Sequence, residues 1–182
     1  MSDFSKILLT AEQIDEATSR IAAEIDRDYK DVEGRLILLC ILKGSVVFMG
    51  DLMKKVTVPV EIDFMKVSSY GSGTSTTGKV NVHLDIMRSD LSECNILVVE
   101  DIIDSGVTLS YLAKYLVDKG AKSVHTVTLL DKPSRRKVDF TPDYCGFVIP
   151  DEFVVGYGLD YDEKYRALPF VGVLDPKVYS GE

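Results

Sequence analysis

The sequence is poor in cysteine, in long apolar runs and in positive charge, and each shortage excludes a class of protein. The three cysteines, Cys40, Cys94 and Cys145, are scattered and form no CxxC pair. This spacing indicates reduced thiols, with Cys40 and Cys94 in the core, and not a disulfide framework or a zinc site. No run approaches the roughly 18 apolar residues that a membrane helix needs. The net charge of −8 counts against nucleic acid or an anionic membrane as a partner, because proteins that bind either are usually basic.

What the chain does contain fits one globular domain. It has 182 residues, of which 46% are hydrophobic and 27% charged, enough to bury a core. We therefore expect residues 1–182 to form a single domain. The first residues lack the basic segment and apolar core of a secretory signal, so the expected location is the cytoplasm.

Helical and strand patterns alternate along the chain. Thr10 and Gln13 have capping-box spacing at the start of a helix, and residues 35–42 form an apolar run that is typical of a buried strand. A helix is predicted at 46–56 and another at about 109–120. Further strands are predicted at 59–68, 80–84, 95–99, 124–130, 146–149 and 171–174. The strand, helix and strand over 95–130 make a βαβ unit, which predicts a parallel sheet and an α/β fold.

The segment with most chemical information is 98–108, VVEDIIDSGVT. It follows a buried strand and precedes a helix, the position where α/β proteins bind ligands. Gly106 permits a tight turn, and the N–H groups of residues 105–108, with the hydroxyls of Ser105 and Thr108, are suited to hold a phosphate at the helix N-terminus.

The carboxylates of Glu100, Asp101 and Asp104 would repel that phosphate unless they face something else. Sugar hydroxyls or a hydrated magnesium ion would suit them, so the segment predicts a site for ribose 5-phosphate and Mg²⁺. The alternative is structural: Asp104 or Ser105 caps the helix and the other acids are solvated. The density of carboxylates before Ser-Gly-x-Thr favours the ligand site.

A second motif, GTSTTGK at 73–79, matches most of a P-loop. Val80 stands where that motif needs Ser or Thr, and the residues after it alternate as a strand, whereas a P-loop opens a helix. We therefore do not favour an NTPase. A flexible hairpin is the alternative for residues 68–78.

Residues 98–108 resemble the signature of the type I phosphoribosyltransferases, which bind phosphoribosyl pyrophosphate. Four further segments, 42–44, 69–71, 130–136 and 150–161, are similar in order to one branch, the hypoxanthine-guanine phosphoribosyltransferases. The resemblance covers about residues 36–174. It implies a mainly parallel, twisted sheet flanked by helices, with a small hood built from the N-terminal residues and roughly 140–182. It also implies purine salvage, in which Mg²⁺-dependent transfer of phosphoribose to hypoxanthine and/or guanine gives IMP or GMP, and a homodimer or homotetramer.

The resemblance also implies roles for individual residues. Asp104 would be the general acid/base near purine N7, and Lys132 would donate to the purine 6-oxo group. Glu100, Asp101 and Asp160 would serve the metal. A cis peptide is expected at Leu42-Lys43, and the resemblance suggests a lid at 68–78 whose Ser69 and Tyr70 close over the reaction. The residues expected to bind substrate are Lys43, Gly44, Ser69, Tyr70, Glu100, Asp101, Ser105, Gly106, Val107, Thr108, Lys132, Phe153, Val154, Asp160 and Arg166.

Taken without the resemblance, several of these residues have structural interpretations. Lys43 would be an exposed strand-end lysine, Arg166 a surface arginine, Asp160 a turn residue and Phe153 a core residue. Residues 132–137 would form a solvated basic turn, and both histidines, His83 and His125, would be structural. A rival function on the same fold is an RNA-binding regulator, against which the acidic balance and Lys132 weigh.

Overall fold

The computed structural model describes residues 3–69 and 80–180, and nine strands and four helices lie within them. The strands are β1 (Phe4–Leu9), β2 (Arg35–Leu42), β3 (Val60–Ser69), β4 (Val80–Leu84), β5 (Cys94–Ile103), β6 (Ser123–Asp131), β7 (Tyr144–Val148), β8 (Val154–Val155) and β9 (Val171–Leu174). The helices are α1 (Ala11–Tyr29), α2 (Val46–Lys55), α3 (Val107–Asp118) and α4 (Pro176–Tyr179).

Six strands form the main sheet in the order β4-β3-β2-β5-β6-β7. All neighbours are parallel except β4, which pairs antiparallel at the edge. The chain runs outward from β2 to β3, then returns to place β5 on the other side of β2. The strand order therefore reverses between β2 and β5, and a crevice forms beyond their carboxyl ends. The predicted mainly parallel α/β sheet is confirmed.

The apolar run of β2 divides its side chains between two cores. Leu36, Leu38 and Cys40 pack with α1 and α2 on one face of the sheet. The intervening residues, such as Ile37 and Leu39, pack with α3 on the other face. Because a strand alternates its side chains and both faces are covered by helices, every position must be apolar. Each such leucine or isoleucine contributes about 1.5–3 kcal/mol on full burial.

A smaller antiparallel sheet has the order β1-β9-β8 and joins the two ends of the chain. β1 and β8 carry no clear period and were not predicted as strands. β7, which lies inside the range 140–182 expected for the hood, pairs instead with β6 in the main sheet.

Two predicted boundaries around the acidic segment are wrong. β5 continues past residue 99 to Ile103, and α3 begins at Val107 instead of at about 109. The parallel ladder persists through Glu100↔Thr128 and Ile103↔Asp131, although the carboxylates interrupt the apolar pattern. Glu100 and Asp101 therefore lie on a rigid strand end, and the connecting loop is only residues 104–106.

The structure agrees with what the scattered cysteines and the lack of long apolar runs predict. The three cysteines are free, and Cys40 and Cys94 are buried as predicted. Within residues 3–69 and 80–180, no helix is both long and apolar enough to span a membrane.

The predicted capping box at the start of α1 is present. The Gln13 N–H donates to Thr10 Oγ1 at 3.3 Å, and the Thr10 N–H donates to Gln13 Oε1 at 2.9 Å. The cap stabilises a helix that buries Ile14, Ile21 and Ile25 against the sheet.

We expect Thr10→Ala to lower the free energy of unfolding by about 1 kcal/mol, because it leaves the Gln13 N–H without its acceptor. The melting temperature should fall by about 2–4 °C. Chemical and thermal denaturation measure both, with Ser92→Ala, at an exposed position, as the control. Equal stability of the two variants would show that the cap contributes nothing.

Candidate active site

Polar side chains gather where β2, β5 and β6 end, at the reversal of strand order. Lys43 follows β2, and Lys132 follows β6. Glu100 and Asp101 lie near the carboxyl end of β5. The Lys132 N–H donates to the Ile103 carbonyl at 2.9 Å, which extends the β5–β6 pairing by one residue. Because these strands are parallel, their carboxyl ends share one edge of the sheet, and residues far apart in sequence meet there.

A cavity of about 290 Å³ lies beyond the end of β5. Its lining consists of Glu100, Ile102, Ile103, Asp104, Ser105, Gly106, Thr108 and Leu109. The first N–H groups of α3 have no acceptor within their own helix, and the helix N-terminus carries a partial positive charge. The cavity thus joins a helix N-terminus to a carboxylate-bearing strand end, the two features that the segment predicts side by side.

Gly106 is the N-cap residue of α3, with φ of 76° and no side-chain cap. A Cβ atom there would lie 2.9 Å from Arg136 Cδ and 3.2 Å from Phe140 Cβ. Only glycine suits both the left-handed φ and this space. Ser105 Oγ accepts the Val107 N–H at 3.3 Å, whereas Asp104 does not cap the helix and is free to face the cavity.

The basic turn after β6 fixes the loop in place, a role that the sequence did not reveal. Arg136 donates to the Asp104 carbonyl at 2.6 Å and forms an ion pair with Asp131. The Lys137 N–H donates to the Ser105 carbonyl at 2.9 Å. The interpretation of residues 132–137 as a solvated turn is therefore wrong for Arg136, whose pairing depends on the adjacency of β5 and β6.

Glu100 and Asp101 are adjacent, and the Asp101 N–H donates to Glu100 Oε1 at 3.3 Å. Burial raises the pKa of Glu100 well above its usual value, and the charge of Asp101 raises it further. Burial also raises the pKa of Asp101, while its hydrogen bonds to Glu100 and the Ile102 N–H and the charge of Arg166 act in the opposite direction. Two half-buried acids side by side are a site where a cation would relieve repulsion.

The chemistry of this donor set suits magnesium bound together with a substrate. In the described ranges, no three or more His, Cys, Asp or Glu side chains come close enough to hold a metal by themselves. Mg²⁺ does not need such a cage, because it keeps several waters and binds one or two carboxylates plus substrate phosphates. Glu100 and Asp101 meet that requirement with oxygen donors.

The turn after β2 packs directly against this carboxylate pair. The Leu42-Lys43 peptide is cis, as expected. A Cβ atom at Gly44 would overlap the Asp101 carboxylate, and one at Gly158 would overlap the Gly44 carbonyl. Gly44 is therefore required by the close approach of Asp101, a constraint that only the folded chain shows.

The cations expected for pyrophosphate are paired with acids from the hood. Lys43 Nζ lies 2.8 Å from Glu163 Oε1. Arg166 lies 2.8 Å from Asp160 and 3.2 Å from Glu163, and it donates to the Gly158 carbonyl at 2.8 Å. Arg166 is thus held in place beside the site. Sequence reasoning missed Glu163, which joins Lys43 and Arg166.

Lys132 and Phe153 also depart from their structural interpretations. Lys132 is 7% exposed, and its Nζ donates to the Glu152 carbonyl at 2.7 Å and lies 3.9 Å from Asp104 Oδ1. Phe153 is 42% exposed, whereas Val154 is buried. A buried ammonium beside an exposed aromatic ring is the reverse of a solvated lysine and a core phenylalanine.

The predicted lid falls mostly outside the described residues. Ser69 ends β3, while Tyr70 and the P-loop-like residues 73–79 are not among those described. The residues directly after that motif form strand β4, so the helix that a P-loop requires does not follow it.

A larger cavity, of about 550 Å³, lies at the opposite edge of the sheet, where β5, β6 and β7 begin. His125 lines it, and its Nδ1 lies 3.0 Å from the Tyr29 hydroxyl. His83 bonds to Ser68 at 2.7 Å. His125 lies away from the carboxyl ends of the strands, and its hydrogen bond agrees with a structural role. His83 lies on β4 and is held by Ser68 near the carboxyl end of β3.

The raised pKa of Glu100 makes stability depend on pH. The folded state keeps a proton that the unfolded chain releases as the pH rises through the usual range of glutamate, so the free energy of unfolding falls with rising pH. We expect Glu100→Gln to weaken this fall and to raise the melting temperature by about 2–4 °C at pH 8, with a smaller difference near pH 4.

Thermal denaturation from pH 4 to pH 8 measures this effect in protein without ligands. Glu16→Gln, on the exposed side of α1, is the matched control. The contrary outcome is a melting temperature that depends on pH in the same way in Glu100→Gln, Glu16→Gln and the unmodified chain. The pKa of Glu100 would then not be raised in the folded state.

Comparison with known proteins agrees with this architecture. Residues 6–162 match the family described as Phosphoribosyl transferase domain. The chain is 48% identical over 177 residues to the hypoxanthine-guanine phosphoribosyltransferase of Bacillus subtilis, covering 97% of both proteins. It is also 48% identical over 180 residues to the bifunctional protein TilS/HprT of Listeria monocytogenes. That alignment covers 98% of this chain but only 27% of the Listeria protein. The chain therefore spans about a quarter of the length of that relative.

Solved structures show the same fold. A crystal structure of a hypoxanthine phosphoribosyltransferase from Staphylococcus aureus aligns with a TM-score of 0.92 at 45% identity, covering 97% of this chain and 95% of that one. The resemblance in fold and family inferred from the sequence is confirmed. With segments 42–44, 98–108 and 130–136 gathered at one edge of the main sheet, the chain belongs to the hypoxanthine-guanine phosphoribosyltransferases.

Proposed function

We propose that this chain acts in purine salvage, transferring the 5-phosphoribosyl group of phosphoribosyl pyrophosphate to hypoxanthine and/or guanine to give IMP or GMP and pyrophosphate. The observation that carries the proposal is the cavity at the end of β5. It joins the N-terminus of α3 to the carboxylates of Glu100 and Asp104, and Lys132 lies 3.9 Å from Asp104. A phosphate, a diol and a base each find a matching group there.

The 5-phosphate binds residues 105–108. Ser105 and Thr108 supply hydroxyls, and the backbone of Gly106 and Val107 supplies N–H groups at the positive end of α3. Gly106 allows the turn, and the Arg136 and Lys137 contacts to the loop keep it ready before the ligand arrives. Such preorganisation reduces the entropy lost on binding.

Glu100 and Asp101 would face the ribose hydroxyls and hold one magnesium ion, and Asp160 would hold a second. Magnesium bound there would neutralise charge on the pyrophosphate. The buried carboxylates accept hydrogen bonds from the ribose 2- and 3-hydroxyls and so orient the sugar. Because burial raises the pKa of both acids, a cation and hydroxyl donors would stabilise their ionised forms.

Lys43, Gly44 and Arg166 bind the pyrophosphate. A guanidinium presents paired donors to phosphate oxygens, and the Gly44 backbone lies against Asp101. Lys43 and Arg166 would exchange their contacts with Glu163 for phosphate oxygens. Ser69 and Tyr70, of which Tyr70 lies outside the described residues, complete the proposed substrate-binding set.

The purine lies between Lys132 and Phe153. An ammonium group has three donors; one is used by the Glu152 carbonyl, and another donates to the 6-oxo group. The exposed ring of Phe153 stacks on the base, and the Val154 backbone contacts its edge. Adenine carries an amino donor at this position and would leave the buried ammonium unmatched.

Asp104 moves the proton at purine N7. It is half exposed at the end of the cavity, and its carboxylate lies 3.9 Å from the lysine that would hold the same ring. The Arg136 hydrogen bond to its carbonyl fixes the backbone, so that the side chain alone is free to approach the base. General acid/base catalysis contributes about 10²- to 10⁴-fold in rate.

The wider setting completes the proposal. Residues 1–182 act as one phosphoribosyltransferase domain in the cytoplasm, a compartment that suits three free cysteines. A homodimer or homotetramer is supported by apolar side chains exposed on and beside the edge strands, Ile62, Leu84 and Met87. The partners are the two substrates, without nucleic acid or membrane.

We expect Asp104→Asn to lower kcat by about 10²- to 10⁴-fold, because the amide cannot exchange the purine proton. Binding of phosphoribosyl pyrophosphate should change little. Steady-state kinetics separate kcat from the two KM values, with Asp118→Asn, exposed at the end of α3, as the control. Unchanged turnover would remove Asp104 as the acid/base.

Kinetics with phosphoribosyl pyrophosphate and each of hypoxanthine, guanine and adenine test the function itself. We expect IMP and GMP, and adenine turnover lower by at least about 100-fold, since a buried donor loses its acceptor. Lys132→Met should lower kcat/KM for hypoxanthine by a similar factor, whereas Lys137→Met, exposed on the same turn, should not. Comparable adenine turnover would contradict the role of Lys132. Turnover of no base, with salt-sensitive RNA binding, would favour the RNA-binding regulator.

A further inference from the structure

Phe153 is one member of an aromatic cluster formed with Tyr161 and Tyr179. The ring centroids of Phe153 and Tyr179 lie 5.0 Å apart with planes tilted by 35°. Tyr161 meets Phe153 edge to face at 5.8 Å and Tyr179 at 6.3 Å. Phe153 and Tyr179 nevertheless stay 42% and 40% exposed. The cluster is thus a surface that holds one ring and leaves part of it open.

The backbone around Phe153 is fixed on both sides. The Leu174 N–H donates to the Phe153 carbonyl at 2.9 Å, and Lys132 Nζ donates to the preceding carbonyl, of Glu152, at 2.7 Å. The freedom that remains is the rotation of the Phe153 side chain. Tyr161 and Tyr179 are the rings that contact it, so they determine the direction in which the open part of the ring faces.

Tyr179 reaches this position because α4 is anchored at its start. The Asp175 side chain accepts the Lys177 N–H at 3.0 Å and caps the helix, and the Asp175 N–H donates to the Asp3 carbonyl beside β1 at 2.9 Å. The last residues that the structure describes are therefore tied to the first ones. Tyr179, at the end of α4, is thus held over Phe153 through the two hydrogen bonds of Asp175. Neither Asp175 nor its partners Lys177 and Asp3 are proposed substrate-binding residues.

We propose that Tyr179 is a positioning residue for the purine: it supports the Phe153 ring from the side opposite the base and so fixes the stacking surface. This inference rests on the proposed function. An aromatic neighbour at this distance restricts the rotation of Phe153, and a ring that is already oriented loses less entropy when the base binds. Tyr179 thus acts on affinity for the base and not on the proton transfer or the phosphoribosyl group.

The test is steady-state kinetics of Tyr179→Ala in the full chain, with hypoxanthine varied at saturating phosphoribosyl pyrophosphate. We expect KM for hypoxanthine to rise about 2- to 10-fold, the range that single aromatic pairs give. Both kcat and KM for phosphoribosyl pyrophosphate should stay unchanged. Tyr179→Phe, which keeps the ring, should restore KM. Lys177→Ala, exposed on the same helix, should leave KM unchanged.

A double variant separates positioning from a merely structural contribution. In a Phe153→Leu background, Tyr179→Ala should have no further effect on KM, because the ring that it orients is absent. An equal rise in both backgrounds would assign Tyr179 a general structural role and overturn the inference. If Tyr179→Ala did not raise KM for hypoxanthine in the chain that keeps Phe153, the inference would also be overturned. A lower KM would show that Tyr179 covers the face that the base needs, again the opposite of the proposal.

The outcome for the unmodified chain distinguishes the two levels of inference. If it makes IMP but Tyr179→Ala does not change KM, only the role of Tyr179 fails. If it makes no nucleotide from any base, the proposed function fails and this inference with it. Circular dichroism of Tyr179→Ala and of the more conservative Tyr179→Leu confirms that both are folded before the kinetics are compared.

Discussion

The parallel pairing of β2 with β5 is the constraint on which the site depends. Its register runs from Arg35↔Cys94 to Cys40↔Val99, and both strands are buried on two faces. A slip of one residue would exchange the inward and outward side chains of a whole strand, so packing against α1, α2 and α3 fixes the register tightly. Once it is fixed, the turn at Lys43 and Gly44 and the acidic end of β5 must meet.

The contact between the turn after β2 and the end of β5 brings together charged groups that the protein neutralises only in part. Glu100 and Asp101 lie side by side, half-buried, and desolvation raises the pKa of both. Lys43 and Arg166 pair with Glu163. A ligand with phosphates, hydroxyls and a cation would supply partners for all of these groups. The same arrangement that weakens the ligand-free protein at high pH therefore favours binding. Rigid strands hold the carboxylates and Lys43, and the hood supplies Arg166 and Glu163.

The hood shows how a small sheet contributes to a site built on a larger one. Antiparallel pairing of β9 with β1 and β8 connects the two ends of the chain and places Phe153 next to the lysine at the end of β6. The aromatic cluster depends on the same pairing, because α4, which ends at Tyr179, directly follows β9 in the chain. Sequence periodicity did not predict β1 or β8, since strands this short or irregular carry no clear period and form only against a partner strand.

The sequence by itself determined the α/β class, the buried strand at 35–42, the capping box at Thr10 and the chemistry of residues 98–108, because each depends on local spacing and residue type. It also identified the family, through segments similar in kind and order. Tertiary structure alone decided that Lys132 is buried, that Phe153 is exposed, that Arg136 fixes the loop after β5 and that Gly44 gives room to Asp101. These properties depend on which strand ends are neighbours. Neighbourhood follows from strand order and packing over the whole sheet, which no local pattern encodes.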